Sequence, residues 1–122
     1  MDKTQAIDAF FSSFGWPAFD ENCVETENER FYITYEAATG SDGELILTNP
    51  ALYGYTNSYE KLEKKAAEIY NRMITMRPPS IPIDGGRLVI LPGSPEFSRR
   101  IDSGSAEWKK IVMQIYLAFL TN

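Results

Sequence analysis

The chain has 122 residues, 43% of them hydrophobic and 24% charged, with a formal net charge of −5, an ordinary globular composition for one domain around one core. It contains no histidine and a single cysteine, Cys23, which removes disulfide frameworks, most zinc sites and every catalytic scheme that runs through imidazole. General nucleic-acid binding is disfavoured, since it calls for a basic excess and an aromatic platform, and no window approaches the ~20 apolar residues of a membrane helix.

The charge is unevenly spread. Residues 1–57 carry ten acids against Lys3 and Arg30, a net of −8, which leaves +3 for residues 58–122. Such a split matches either two solvated surfaces of opposite bias or complementary faces within one fold or between copies of it.

Asp2 followed by Gln5 predicts a helix start, with the Asp2 side chain capping and Gln5 reaching back. Ile7, Phe10, Phe11 and Phe14 then fall at i, i+3, i+4 and i+7, one apolar stripe. Gly15 suits the left-handed residue past a helix end and Pro17 cannot continue it, so the first helix runs Lys3 to Phe14. The N-terminus has no basic region followed by an apolar run, so no secretory signal is expected. Residues 15–30 hold a run of acids without apolar periodicity and read as a long loop, of a length that tends to be functional or to order on a partner. Cys23 lies in it among Glu21, Glu25 and Glu27, whose charges would raise a thiol pKa, so it reads as a small residue and no nucleophile.

Phe31 to Ala37 alternates, with Phe31, Ile33, Tyr35 and Ala37 on one face, and residues 39–43 form a turn, so a strand and a hairpin are expected. The return strand, Glu44 to Asn49, reaches Pro50, which marks an edge, a bulge or the strand's end; Leu52-Tyr53-Gly54-Tyr55 resumes pairing beyond it. Ser58 caps a second helix whose apolar positions are Tyr59, Leu62, Ala66, Ile69, Tyr70, Met73 and Ile74. Glu60 and Lys64 add an i, i+4 ion pair on its wet face, and Pro78-Pro79 ends it. Pro82 and Asp84-Gly85-Gly86 turn into a strand, Arg87 to Leu91, stopped by Pro92-Gly93. Residues 92–107 read as a long polar loop.

The final strand, Trp108 to Thr121, dominates the pattern. Ile111, Met113, Ile115, Leu117 and Phe119 are all large and apolar at every second position, the period of a strand. The alternate face mixes Lys110, Val112, Gln114, Tyr116 and Ala118, too apolar for a solvated sheet face, which calls for cover by a helix or a second subunit. The expected fold class is α+β: a four-stranded, mainly antiparallel sheet packed with two helices in the order α-β-β-α-β-β. It forms a single domain over 1–122, with an N-terminal helix at 1–14, an acidic loop at 15–30, and the sheet and main helix at 31–122.

No constellation demands chemistry. Asp84-Gly85-Gly86 lacks the residues of a P-loop or calcium loop and reads as a turn. Glu25, Glu27 and Glu29 alternate without a nitrogen or sulfur partner and read as a solvated acidic loop, so no metal and no cofactor is expected. Arg99-Arg100 beside Phe97 is either a clamp for a carboxylate or phosphate or a charged loop tip. The tyrosines have no acid/base partner, and the aromatics exceed what four short strands need inside, so some belong to a subunit contact. No enzyme is expected.

The chain resembles the tail-terminator or head-tail joining proteins of long-tailed bacteriophages, also described as minor capsid proteins. The resemblance runs from Phe31 to the C-terminus. It rests on the strand Phe31-Tyr32-Ile33-Thr34-Tyr35, the aromatic strand end Leu52-Tyr53-Gly54-Tyr55 leading to the helix at Ser58, the turn Ile83-Asp84-Gly85-Gly86, the segment from Gly93 to Arg100, and the closing strand ending in Phe119-Leu120-Thr121. Their order and spacing carry the likeness more than any one piece. The resemblance implies a virion structural protein of the tail or neck, assembled in the host cytoplasm as a hexameric ring. Such a ring caps the tail tube, meets the head connector protein and lets DNA pass without specific binding, with no membrane involved. Tyr53, Tyr55, Phe97, Arg99, Arg100 and Trp108 are then subunit-interface candidates, and Glu21, Glu25, Glu27 and Glu29 lumen candidates. The rival from another class is a small, acidic, dimeric secretion chaperone that holds a client on exposed sheet.

Overall fold

A computed structural model describes residues 1–20, 30–37, 43–76, 80–93, 96–102 and 104–121. The first helix, α1 (Lys3–Ser12), begins as its sequence requires. The Asp2 side chain accepts from the Gln5 amide and the Gln5 side chain accepts from the Asp2 amide, a complete capping box. Ile7, Phe10, Phe11 and Phe14 are all buried, and Gly15 has φ 86°, the left-handed value that turns the chain away from the helix.

The expected single sheet of four strands is corrected to two sheets. Among the described residues there are nine strands: β1 (Ala18–Asp20), β2 (Phe31–Tyr35), β3 (Ile46–Thr48), β4 (Ala51–Tyr55), β5 (Ser80–Ile83), β6 (Gly86–Pro92), β7 (Ser98–Ile101), β8 (Trp108–Met113) and β9 (Ile115–Thr121), with α2 (Glu60–Met76) between β4 and β5. The first sheet has the order β1-β2-β4-β8-β7 and the second β3-β9-β6-β5. All pairings are antiparallel except β1 with β2, so the broader α+β assignment stands.

The predicted last strand is divided at Gln114, and the division explains the architecture. The register from Ile46↔Leu117 through Thr48↔Ile115 continues unbroken into Ala51↔Val112 and Tyr55↔Trp108. β3–β4 and β8–β9 are therefore one two-stranded ribbon, bent where Pro50 faces Met113. Proline has no N–H to donate there. The Met113 amide still donates to the Pro50 carbonyl at 2.7 Å, while the Met113 carbonyl accepts from the Asn49 side chain at 3.3 Å. Thr48, almost fully buried, donates its hydroxyl to the Ile115 carbonyl at 2.8 Å beside the same bend. Side chains thus supply what the proline withdraws, and the ladder survives the corner.

On the ribbon's other flank the register does not survive. Six steps of chain from Pro92 to Ser98 face only two from Ile115 to Met113. At this point the Gln114 amide donates to the Phe97 carbonyl and the Gly93 amide donates to the Gln114 carbonyl, both at 2.7 Å. A Cβ on Gly93 would lie 2.5 Å from the Gln114 Cβ, so only glycine permits this approach.

Both helices lie on one side of the bent sheet. α2 packs on β4, β8 and β6, and α1 touches β1 and β2 at one end of the strand order and β5 at the other. The core they enclose includes Leu62, Ile69 and Met73 of α2 with Ile33, Leu52, Leu88, Ile90, Ile111, Met113, Ile115 and Leu117. Gly54 sits in this face without room for a side chain, because a Cβ would meet Leu62 at 2.6 Å and the Phe31 ring at 2.8 Å. Phe31, directly across the strand pair, fills the space instead. At α1's end, Lys65 of α2 donates to the Phe14 carbonyl at 2.7 Å, and Tyr35 of β2 stacks on Phe11 and donates to Asp8 at 2.7 Å.

Further expectations are corrected locally. The segment 15–30 contains β1, parallel to β2. The hairpin expected between Phe31–Ala37 and Glu44–Asn49 does not form, because β2 pairs with β4 and β3 pairs with β9. The loop 92–107 contains β7, and β5 precedes the Asp84-Gly85 turn to make a hairpin with β6. Tyr70 and Ile74 of α2 are exposed, at 37% and 41%, so the core stripe of that helix is narrower than its apolar spacing. The turn at 39–42 and Pro78-Pro79 lie outside the described residues.

Candidate functional site

With the helices and the aliphatic core on the concave side, the alternate residues of every strand face outward. On the first sheet these are chiefly aromatic. Tyr32 and Tyr53, cross-strand partners, stack at 4.8 Å between ring centroids with 8° between planes. Trp108 meets Tyr32 edge-on at 5.9 Å and Tyr55 at 5.4 Å, and Phe19 of β1 closes the row against Tyr32 at 6.0 Å. Cations lie over two of the rings: Lys110 over Tyr53 at 5.2 Å and Arg30 over Tyr55 at 5.0 Å. Arg99 lies on the same face, opposite Val112 on the edge strand β7, and pairs with Glu96 at 3.3 Å. Tyr32 is buried in this row, as are Thr34 and Ala51 on the same face, Tyr53 and Trp108 are half-buried, and Tyr55 is exposed.

The outer face continues past the bend onto the second sheet and changes character. Leu47 and Leu120 are 46% and 43% exposed, Val89, Leu91 and Tyr116 are half-buried between them, and Arg87 is the charged residue on these strands. An apolar sheet surface of this kind is what remains when one side of a sheet has a partner in its own fold and the other does not.

The six interface candidates divide between the two sides of the sheet. Tyr53, Tyr55, Trp108 and Arg99 share the outer face. Arg100, one residue further along β7, turns inward, where its Nε donates to Glu63 of α2 at 2.8 Å and its guanidinium lies 4.5 Å over the Tyr59 ring. Phe97 meets the Tyr70 ring edge-on at 5.1 Å, in a cleft of ≈ 500 Å³ between α2 and the corner segment, lined by Glu63, Ala67, Tyr70, Pro92, Gly93 and Phe97. The reading of Arg99-Arg100 as a loop tip is therefore corrected: they are strand residues on opposite faces of a sheet. The lumen candidates Glu21, Glu25, Glu27 and Glu29 lie outside the described residues.

Tyr32, Phe19, Lys110 and Arg30 belong to this surface and were not singled out by the sequence. Tyr32 and Lys110 carried a signal, since each alternates with residues assigned to the core. Phe19 carried none, because three residues of strand show no period. The outer face holds no arrangement for acid/base work, and among the described residues no three His, Cys, Asp or Glu side chains group as metal ligands. No described helix is long and apolar enough to cross a membrane. On α2, Lys64 pairs with Glu60 at 2.9 Å, and its hydrogen bond holds the Glu60 carboxyl below its ordinary value of 4.5.

Comparison with protein-family models, with curated proteins and with solved structures finds no match.

Proposed function

We propose that the protein is a virion structural component: a ring-forming tail terminator or head-tail joining protein that caps a tail tube and contacts the capsid connector, with no catalytic role. The observation that carries the reading is the outer sheet face, whose row of Tyr, Trp and cations has the composition of a protein-protein interface centre, with Tyr55 exposed and Tyr53 and Trp108 half-buried. A structural role accords with a chain that lacks histidine. The motif order from Phe31 to Thr121 supplies the family, and the acidic loop facing the lumen, where like charge keeps DNA from adhering, remains part of the proposal.

The test is native mass spectrometry across a concentration series, with negative-stain imaging, in the absence and presence of isolated tail tubes. The expected result is a hexamer-sized ring, in solution or on tube ends. A particle that never associates with tubes and never exceeds a dimer would remove the reading. Arg99→Glu and Arg100→Glu are to be made separately, because only Arg99 faces outward. The first is expected to weaken assembly, and the second to act through the loss of its contact with Glu63.

A second reading draws on Leu47 and Leu120. Exposed leucines on open sheet suit a dimeric secretion chaperone that holds an unfolded client. Affinity for a reduced, unfolded polypeptide without affinity for tail tubes distinguishes it.

A further inference from the structure

No Asp or Glu stands among the outward-facing residues of the strands. The charges there are Arg30 at the mouth of β2, Arg87, Arg99 and Lys110, with Glu36 just past the end of β2, where it accepts from the Asn49 amide, and Glu96 at the rim. The chain as a whole is acidic, with 17 acids against 12 bases. Before residue 57, the described acids are Asp2, Asp8, Asp20, Glu36 and Glu44, against Lys3 and Arg30. Arg30 and Lys110 are held over the Tyr55 and Tyr53 rings, Arg87 is held by Ser80 and Arg99 by Glu96.

We infer that the outer face of the first sheet is a docking surface for a second copy of this chain, and that it receives that copy's acidic N-terminal region in a head-to-tail contact. This rests on the ring-forming reading and names the contact that would build the ring. Two observations select the occupant. A face-to-face contact about a twofold axis would bring together two copies of a face on which Arg30, Arg99 and Lys110 outnumber Glu36 and Glu96, and that net like charge opposes it. A head-to-tail contact sets them against carboxylates and uses two different patches on each copy, the geometry that closes into rings. The rival occupant is single-stranded nucleic acid, which binds aromatic sheets flanked by cations. Here the ring faces are already taken, Tyr32 and Tyr53 by each other and Tyr53 and Tyr55 by cations, so few remain on which a base can stack. The surface matches an acidic protein better.

The experiment mixes ¹⁴N- and ¹⁵N-labelled protein, joins adjacent amines and carboxylates with a zero-length carbodiimide, and identifies mixed-isotope peptides by mass spectrometry. The expected result is an intermolecular link from Lys110 to a carboxylate among residues 2–44. In parallel, Arg30→Glu with Lys110→Glu is expected to raise the self-association constant for dissociation by ~10-fold or more. Lys64→Glu, on the wet face of α2, is expected to leave it unchanged. The cross-link is read on the wild-type chain, so a double variant that fails to fold does not blunt the test. Unchanged association in a folded double variant, links only within one copy, or a monomer at every concentration would overturn the inference. So would binding of a fluorescent oligothymidylate that Lys110→Glu abolishes. Tail-tube recruitment with intact association but no Lys110 link would overturn this contact and spare the ring. The Lys110 link in a particle without affinity for tubes would do the reverse.

Discussion

The two sides of the bent sheet are built from the same strands with opposite chemistry. Leu52 and Tyr53 are neighbours on β4, yet Leu52 is fully buried between Ile33 and Ile111 while Tyr53 stands among Tyr32 and Lys110 on the outer face. The concave side is aliphatic and sealed by two helices, so its residues act on folding. The outer side is aromatic and cationic, with Tyr55 exposed and Tyr53 and Trp108 half-buried, so these residues are expected to act on association.

The sharpest way to break this contrast is to truncate both neighbours. Leu52→Ala is expected to cost about 2–5 kcal/mol in denaturant unfolding, through lost burial and the cavity left behind. Tyr53→Ala is expected to cost about 1 kcal/mol, the scale of one aromatic pair, and to weaken self-association in sedimentation runs. Equal costs in unfolding would show that the outer face is as much core as the inner one. Gly93→Ala probes the corner where the two sheets divide. Its new methyl would meet the Gln114 side chain and carbonyl, an overpacking expected to cost about 1–3 kcal/mol. An unchanged midpoint would mean that the close approach of Gly93 to Gln114 yields without loss and does not hold the corner.

The smallest effect lies on the wet side of α2. Glu60 has its pKa lowered by Lys64, so the charged form is favoured in the folded state. The stability it contributes is present above the unfolded value near 4.5 and is lost as pH falls through the lower folded value. Lys64→Ala is expected to move the Glu60 titration, followed by NMR, back toward 4.5. No movement would mean that the pair does not persist in solution.

Much of the concave side was legible beforehand. The Asp2–Gln5 box, the Ile7–Phe14 stripe and the alternate apolar residues from Ile111 to Leu117 all occupy the positions their spacing requires. The outer surface was legible only in part. Tyr53, Tyr55 and Trp108 were candidates, but their union with Tyr32 and Phe19 depends on which strands lie side by side. Arg99 and Arg100 looked equivalent as neighbours in a polar segment, and a strand assignment sends them to opposite faces.

By itself the sequence determined that two helices form, the capping box that starts the first, and which residues of each long strand enter the core, because caps and periodicities are set by neighbours within a few positions. Only the tertiary structure decided that β3 leaves β2 for β9, that the last strand bends at Gln114 into a second sheet, and that the short segments at Ala18 and Ser98 become strands. A strand takes its hydrogen bonds from residues far away in the chain, so a three- or four-residue strand with mixed polarity is specified by the partner that receives it.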